Sequence, residues 1–415
     1  NRTDGKMIAM AQIVIVGGGA AGMLAAGTAA RRGQAVTVVE HSKATCRKVL
    51  ITGKGRCNVT NNCDAATIMK NTRSNPKFLF SALHAFPPAA TMELFESLGV
   101  PLKTERGRRV FPVSDRAVDI ADALAHYAKG CRIVSGDVTE VTAENGAVTG
   151  VKLADGAFLQ ADAVIIATGG LSYPVTGSTG DGYRFAERLG HTVVPPRASL
   201  VPLVGKGNTC RKMTGLSLRN VNLLVRKKGK KVFSEQGEMM FTHFGVTGPL
   251  VLSASAFIDD ADIDEYELSI DLKPALTEEV LYTRITRDFE KYSNREARNS
   301  ISDLLPSSMV PVIVARWGID PDKRTNQITR EEKLSLVSLL KDFTLRLAGK
   351  DIVEHAVITA GGVSVKEVNP KTMESKLVQG LYFAGEVLDV DAYTGGYNLQ
   401  LAFATGYAAG QAAGE

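Results

Sequence analysis

Apolar and polar positions change period several times along this chain, and each change marks an element. Ile13–Val16 is an unbroken β-branched run that stops at Gly17, the pattern of a strand buried on both faces. Ala20–Arg32 follows, alanine-rich with Leu24 among its few large apolar side chains, which suits a helix lying close on a sheet. Gly33 punctuates, and Ala35–Glu40 (AVTVVE) predicts a second strand ending in an acid. Together these make a β-α-β unit of about thirty residues. Ala82–Leu98 predicts a helix broken early by Pro87-Pro88, and Asp119–Lys129 another, closed by Gly130. Arg132–Ala163 reads as a meander of short strands with turns at Glu144-Asn145-Gly146 and Asp155-Gly156. Ala163–Ala167 (AVIIA) is then an apolar strand running into Thr168-Gly169-Gly170.

The texture changes after Pro195-Pro196. Val221–Arg226 and Val232–Phe233 flank a lysine-rich turn and predict a hairpin. Thr277–Tyr292 predicts a helix with a threonine N-cap and Glu278-Glu279 at the positive end of its dipole. Helical texture continues over Arg295–Leu305 and Arg330–Leu347. A strand-like stretch resumes at Ala356 (AVITAGGV), then Gly380–Gly385 (GLYFAG), then a small-residue helix from Asn398 to Ala413. The simplest organisation is a nucleotide-binding domain over 1–195 and 351–415, split by a β-rich and helical insertion at 196–350.

At about 150 residues per domain, 415 residues bury a sizeable core without staples. Apolar residues at 44% and charged residues at 22% exclude a disordered or collagen-like chain. A net charge of +5 is too mild to demand nucleic acid or membrane. Five irregularly spaced cysteines without a Cys-x-x-Cys pair argue against a disulfide framework or zinc site and for a reducing cytoplasm. Met7–Ala30 carries no charge and is long enough to span a bilayer. Its glycines divide it into a strand-like and a helix-like half, so a membrane span is not expected.

The chemistry begins with Gly17-x-Gly19-x-x-Gly22, placed after a strand and opening a helix. Gly17 permits the tight turn, Gly19 lets the backbone approach a pyrophosphate, and Gly22 lets helix and strand pack closely. The N–H groups around Ala20 and Ala21 and the positive helix end suit anionic phosphates. Glu40 is placed to accept hydrogen bonds from a ribose, and an acid there disfavours a 2′-phosphate. A glycine-rich turn that binds nothing is the bland alternative, and the full strand–turn–helix context weighs against it. The strand ending in Thr168-Gly169 and the returning segment Gly385-Glu386, with a new helix near Asn398-Leu399, fit FAD better than NAD. A helix N-terminus there stabilises the charge a flavin gains near N1 on reduction.

Several longer motifs add a family resemblance. Arg47-Lys48-Val-Leu-Ile-Thr-Gly53-Lys-Gly55-Arg56-Cys57-Asn58-Val-Thr60-Asn61 resembles the hallmark of a bacterial family of FAD-dependent flavoproteins of mostly unassigned activity. One branch of that family is named for reducing unsaturated 3-dehydro-bile acids. Arg108-Arg109-Val-Phe-Pro-Val, Ser172-Tyr173-Pro174 with Gly177-Ser-Thr-Gly180-Asp-Gly182, Phe241–Pro249 and the Ala360–Gly410 tail match as well, so the resemblance spans nearly the whole chain. It implies a glutathione-reductase-like α/β FAD domain interrupted by a β-rich and helical insertion. No His or Cys is marked for covalent flavin attachment, so non-covalent FAD is expected, and the resemblance sets Arg47 and Lys48 along the cofactor and Gly53 to Asn58 beside the isoalloxazine ring. Val138 would meet the adenine through its backbone, and Gly385, Glu386, Asn398 and Leu399 would close over the ribityl chain and ring. Lys54 departs from the family pattern, where small residues are common.

The resulting expectation is an FAD-dependent oxidoreductase reducing an activated C=C of an apolar enone. Only one G-x-G-x-x-G is visible, so NAD(P)H would dock transiently or another donor would serve. Arg56 is a candidate for charge stabilisation. His243, beside Phe241 and Phe244, is a candidate proton donor, with a structural role as its bland alternative. Cys57 and Cys63 suggest a redox pair, but Cys63 lies outside the motif and a cycling disulfide is not expected. Asp389 and Asp391 lack further ligands at metal spacing, so no metal is expected. Nine basic residues between Lys206 and Lys231 raise the alternative of an RNA-modifying flavoenzyme, although five cluster at a hairpin tip where solvated charge is usual. A non-catalytic flavin redox sensor is the other alternative.

Overall fold

A computed structural model of the chain describes residues 10–415. Its contacts divide it into two units, one of residues up to Ser199 plus Val353–Glu415 and one of Leu200–Ile352. The part of the charge-free run at Met7–Ala9 lies outside the described residues. The rest of the run forms strand β1 (Gln12–Val16) and helix α1 (Ala20–Arg31). Among the described residues no helix is long and apolar enough to cross a membrane.

The first unit is built on a five-stranded parallel sheet. Beside β1 lie β2 (Ala35–Glu40), β3 (Arg132–Ser135), β4 (Ala163–Ile166) and β6 (Leu381–Phe383), in the order β6-β4-β1-β2-β3. Val14 pairs with Thr37 on one side and Val164 on the other, so β1 is central. Ile13–Val16 and all four residues of β4 are buried, as continuous apolar runs in a covered parallel sheet should be. Ser135 pairs with Glu40, which places 132–135 in this sheet and not in the meander expected from sequence. The meander proper is Val138–Glu144, Ala147–Leu153 and Phe158–Gln160.

The C-terminal helix α3 (Tyr397–Ala412) packs on α1, and small residues are required where they touch. A Cβ on Gly406 would sit 2.4 Å from the Ala21 carbonyl oxygen, and one on Gly410 2.6 Å from that of Ala25. These two helices meet backbone against backbone, which explains their shortage of large side chains. Val193–Ser199 pairs antiparallel with β5 (Ile358–Val363) in a two-stranded sheet, with an irregularity between Val194 and Arg197. Pro195-Pro196 therefore sits in a bulge of this ladder, where residues that cannot donate are tolerated.

The second unit contains a closed antiparallel barrel of six strands, with Ser217–Lys227 and Lys230–Phe241 as its long hairpin. Helices Glu278–Lys291, Val310–Trp317 and Arg330–Lys341 share its apolar core. Thr277 accepts from the Val280 N–H as an N-cap, and Thr329 with Glu332 forms a capping box. The helix expected to run from 330 to 347 stops at Lys341, and Phe343–Lys350 is a strand. Phe343, Leu345 and Leu347 are buried while Arg346 and Ala348 are exposed, so the period is two over that stretch. Asp342, at the break, accepts from Ser269 and Arg226.

Candidate functional site

In an open parallel sheet the ligand crevice lies beyond the carboxyl ends of the strands. Here a cavity of about 1350 Å³, counted to its open mouth, lies in the first unit beyond β2, β1, β4 and β6. Its lining includes Gly17, Gly19, Ala20, Ala21, Glu40, Arg47, Lys48, Val138, Thr168, Gly169, Gly385, Glu386, Asn398 and Leu399. The structure does not bring Gly22, Gly53, Gly55, Arg56, Cys57 or Asn58 to that lining. His243 belongs to the second unit, on the turn after Lys230–Phe241, with its ring edge-on to Phe244.

The glycines of the first turn divide their work. Gly17 has φ +105°, and a Cβ there would sit 2.5 Å from the Ala167 carbonyl oxygen. A Cβ on Gly22 would fall 1.9 Å from the Gly17 carbonyl oxygen, so Gly22 serves helix–strand packing and has no reason to face the cavity. A Cβ on Gly19 would meet nothing within 4 Å. Gly19 is the N-cap of α1, and the first N–H groups of the helix have no intrahelical partner. The side chain of Arg47, at the start of the short helix α2 (Arg47–Ile51), makes no hydrogen bond or ion pair with the described residues. A helix N-terminus, an open glycine and an unpaired guanidinium make an anion seat.

Glu40 lies at the β2 end. One carboxylate oxygen accepts from the Gly18 N–H at 2.8 Å and the other from the Ser42 N–H at 2.7 Å and the Ser42 hydroxyl. Two accepted bonds on one oxygen and one on the other leave lone-pair capacity for a further donor. His41, which sequence reasoning missed, also lines this end and bonds the Gly177 carbonyl at 3.0 Å through Nε2. The signal available was its position, one residue past the acid that closes β2. At the opposite end α3 starts after Gly396 at φ +92°. The Asn398 side chain is turned back onto the Ala392 and Tyr393 backbone, so it does not cap the start of α3, and Asn398 and Leu399 line the cavity. Thr168 Oγ1 is buried with no partner among the described residues. That oxygen packs against Gly182, where a Cβ would stand 2.1 Å from it.

The motif loop beyond Thr52 is held by partners of its own. Arg56 Nε donates to Asp115 at 2.8 Å, its other nitrogens reach Glu105 and Asp115, and its guanidinium stacks 4.2 Å over Phe111. Its donors are spent on carboxylates. These pairs hold the Arg56 pKa up and that of Glu105 down, while that of Asp115 is held down first by Lys103 and then by Arg56. Cys57 is fully buried at φ +59°, and burial pushes its thiol up to about 12. Cys46 lines the cavity and is likewise pushed to about 12, by burial first and then by Cys57 and Glu40. Neither is a thiolate near neutral pH. Lys54, at φ +60°, is exposed. Asn58 Oδ1 is buried without a partner among the described residues, 2.9 Å from where a Cβ on Gly396 would stand.

Asp391 accepts from Ser199 at 2.9 Å and from Ser74, and Asp389 accepts from Asn75 at 3.0 Å. Among the described residues no three His, Cys, Asp or Glu cluster as a metal site. Of the nine basic residues from Lys206 to Lys231, Lys206, Arg226, Lys227 and Lys228 are ion-paired with acids of the second unit. That pairing weakens the field expected of the segment.

The model of the family described as HI0933-like protein Rossmann domain matches residues 11–412. A 3-dehydro-bile acid delta(4,6)-reductase of Clostridium scindens is 32% identical over 98% of this chain and 100% of its own length. A ribosomal RNA dihydrouridine synthase of Escherichia coli is 31% identical over 96% of this chain and 96% of its own. Among solved structures, the 3-ketosteroid delta1-dehydrogenase of Sterolibacterium denitrificans covers 97% of this chain and 98% of its own, with a TM-score of 0.51 at 15% identity. That last likeness is one of fold.

Proposed function

This chain belongs to the HI0933-like family of Rossmann-domain proteins and is an FAD-dependent oxidoreductase, and from that premise we propose that it reduces a C=C bond conjugated to a carbonyl on an apolar small molecule. One observation carries the reading. Two relatives with substrates as unlike as a bile acid and ribosomal RNA are both named for saturating a double bond conjugated to a carbonyl. The preference for an apolar molecule is supported by Val357, Ile358, Val390 and Leu399 in the lining of the cavity.

When bound, FAD supplies the hydride that such a reduction needs. In this proposal the N-terminus of α1, with Gly17, Gly19, Ala20, Ala21 and Arg47, neutralises the pyrophosphate. Glu40 holds the adenosine ribose and Val138 the adenine. The N–H groups around Asn398 and Leu399 face the flavin, where they stabilise charge as it develops. Residues 1–195 and 351–415 hold the cofactor, and the insertion 196–350 governs substrate choice. Arg56 keeps a structural role, and NAD(P)H is the transient electron donor.

An anaerobic experiment tests this. The flavin is bleached with NADH or NADPH and then mixed with a panel of enones. Reoxidation by a 3-oxo-4-ene and not by its saturated counterpart is the expected result, and indifference to every enone refutes it. A second reading, reduction of a uridine base in RNA, is favoured by the name of the Escherichia coli relative. The exposed Arg211, Lys212, Arg219, Lys230 and Lys231 would contact phosphates. Filter binding of ribosomal RNA against salt separates the two, because phosphate contacts give affinity that falls steeply with ionic strength.

A further inference from the structure

Lys48 and Glu386 lie 338 positions apart in sequence, and both line the cavity. Lys48 Nζ donates to Glu386 Oε2 at 2.7 Å and to Ser172 Oγ at 2.5 Å. The other carboxylate oxygen of Glu386 accepts from Ser172 Oγ at 3.1 Å and from the Thr359 N–H at 2.8 Å. Thr359 Oγ1 in turn accepts from the N–H groups of Leu171 and Ser172. Ser172 and Thr359 are fully buried. A Cβ on Gly170 would sit 2.5 Å from Thr359 Oγ1 and 3.0 Å from Glu386 Oε1, so the loop can approach only as glycine.

This network fixes one ion pair rigidly and gives it a direction. The Lys48 side chain is 25% exposed and that of Glu386 12%, so the ammonium is the outer member. Its place along the sheet is also defined. Glu40 marks the end of β2, and Glu386 follows β6, three strand spacings away, or about 14 Å. With the anion seat over β1 between them, the pair stands at the flavin end of the cavity.

We propose that Lys48, held in place by Glu386, is the charge that sets how readily the bound flavin accepts electrons. Two-electron reduction with uptake of one proton adds one net negative charge to the flavin. A fixed ammonium beside it favours the reduced form, and the carboxylate behind the ammonium opposes it. Glu386 is a positioning residue in this scheme, since its oxygens are committed to Lys48, Ser172 and Thr359. The inference rests on FAD as the bound group and not on the substrate proposed above.

The test needs no substrate. FAD affinity and the two-electron reduction potential are measured against reference dyes for the wild type, Lys48→Met, Lys48→Arg and Glu386→Gln. Lys48→Met should shift the reduction equilibrium about tenfold toward oxidised flavin, about 30 mV more negative. Glu386→Gln should shift it in the opposite sense, and Lys48→Arg should stay within threefold of wild type. A merely structural pair would move both charge-deleting variants in the same direction. That result overturns the proposal, as does a shift below threefold in both, or loss of FAD from both.

Discussion

Gly19 and Gly22 offer a separation of binding from folding that composition alone would not suggest. A valine at Gly19 would be accommodated in the empty protein, since its Cβ meets nothing within 4 Å and the backbone at φ −79° suits any residue. Valine is a poorer N-cap than glycine by up to about 1 kcal/mol. Stiffening of the unfolded chain offsets this by about 0.4–1 kcal/mol. The apoprotein should therefore melt close to wild type. Its side chain would stand where the pyrophosphate belongs and cost at least one charge-assisted hydrogen bond of about 1.5–3 kcal/mol. That is roughly a 10- to 150-fold loss of FAD affinity. Alanine at Gly22 behaves oppositely, because its Cβ would lie 1.9 Å from the Gly17 carbonyl oxygen. The backbone must move, at a cost of about 1–3 kcal/mol in stability whether or not FAD is present. Thermal melts of both apoproteins, with titration of FAD fluorescence quenching, read the two effects independently. If Gly19→Val apoprotein is native and binds FAD as wild type does, the phosphate does not lie over Gly19 and the cofactor placement is wrong.

Cys57→Ser should keep FAD and most of the rate of flavin reduction, and alkylation of native protein near pH 8 should spare Cys57, whose buried thiol is raised to about 12; loss of turnover on substitution would show a redox role. Arg56→Gln should lower the melting temperature only slightly, because Lys103 still pairs with Asp115 and Glu105 and the network is partly exposed, while the flavin absorption spectrum stays unchanged. His191 is buried, and desolvation holds its pKa below the ordinary imidazole value despite Glu367. The unfolded chain therefore binds the extra proton first, and the stability His191 contributes is present above about pH 6.5 and lost as pH falls toward its lower folded value. Melts at pH 7.5 and 5.5 should show a drop in the wild type that His191→Gln reduces, and an equal drop in both would refute that assignment.

The β-α-β unit was legible because its signals are local. The apolar run, the glycine spacing and the terminal acid all fall within residues 12–40, and each is forced by sterics over a few bonds. Boundaries set by pairing partners were not legible. Arg132–Ser135 is mostly exposed, and only its register with Thr37–Glu40 makes it a strand of the main sheet. Phe343–Lys350 continues an apolar helical pattern in sequence, and the barrel decides its period. The same distinction runs through the site. Residues whose task is backbone geometry, such as Gly17 and Gly19, announce it by type, because no other residue tolerates those positions beside a ligand. Residues whose task is charge do not. Arg56 and Lys48 stand in one motif and look alike as cations, yet one is spent on Glu105 and Asp115 outside the cavity and the other is aimed into it by Glu386. What a cation does depends on which carboxylate reaches it first, and that carboxylate comes from chain 49 positions away in one case and 338 in the other. Motif spacing carries no information about contacts of that range, so the function of a charged motif residue is fixed by topology rather than by the motif.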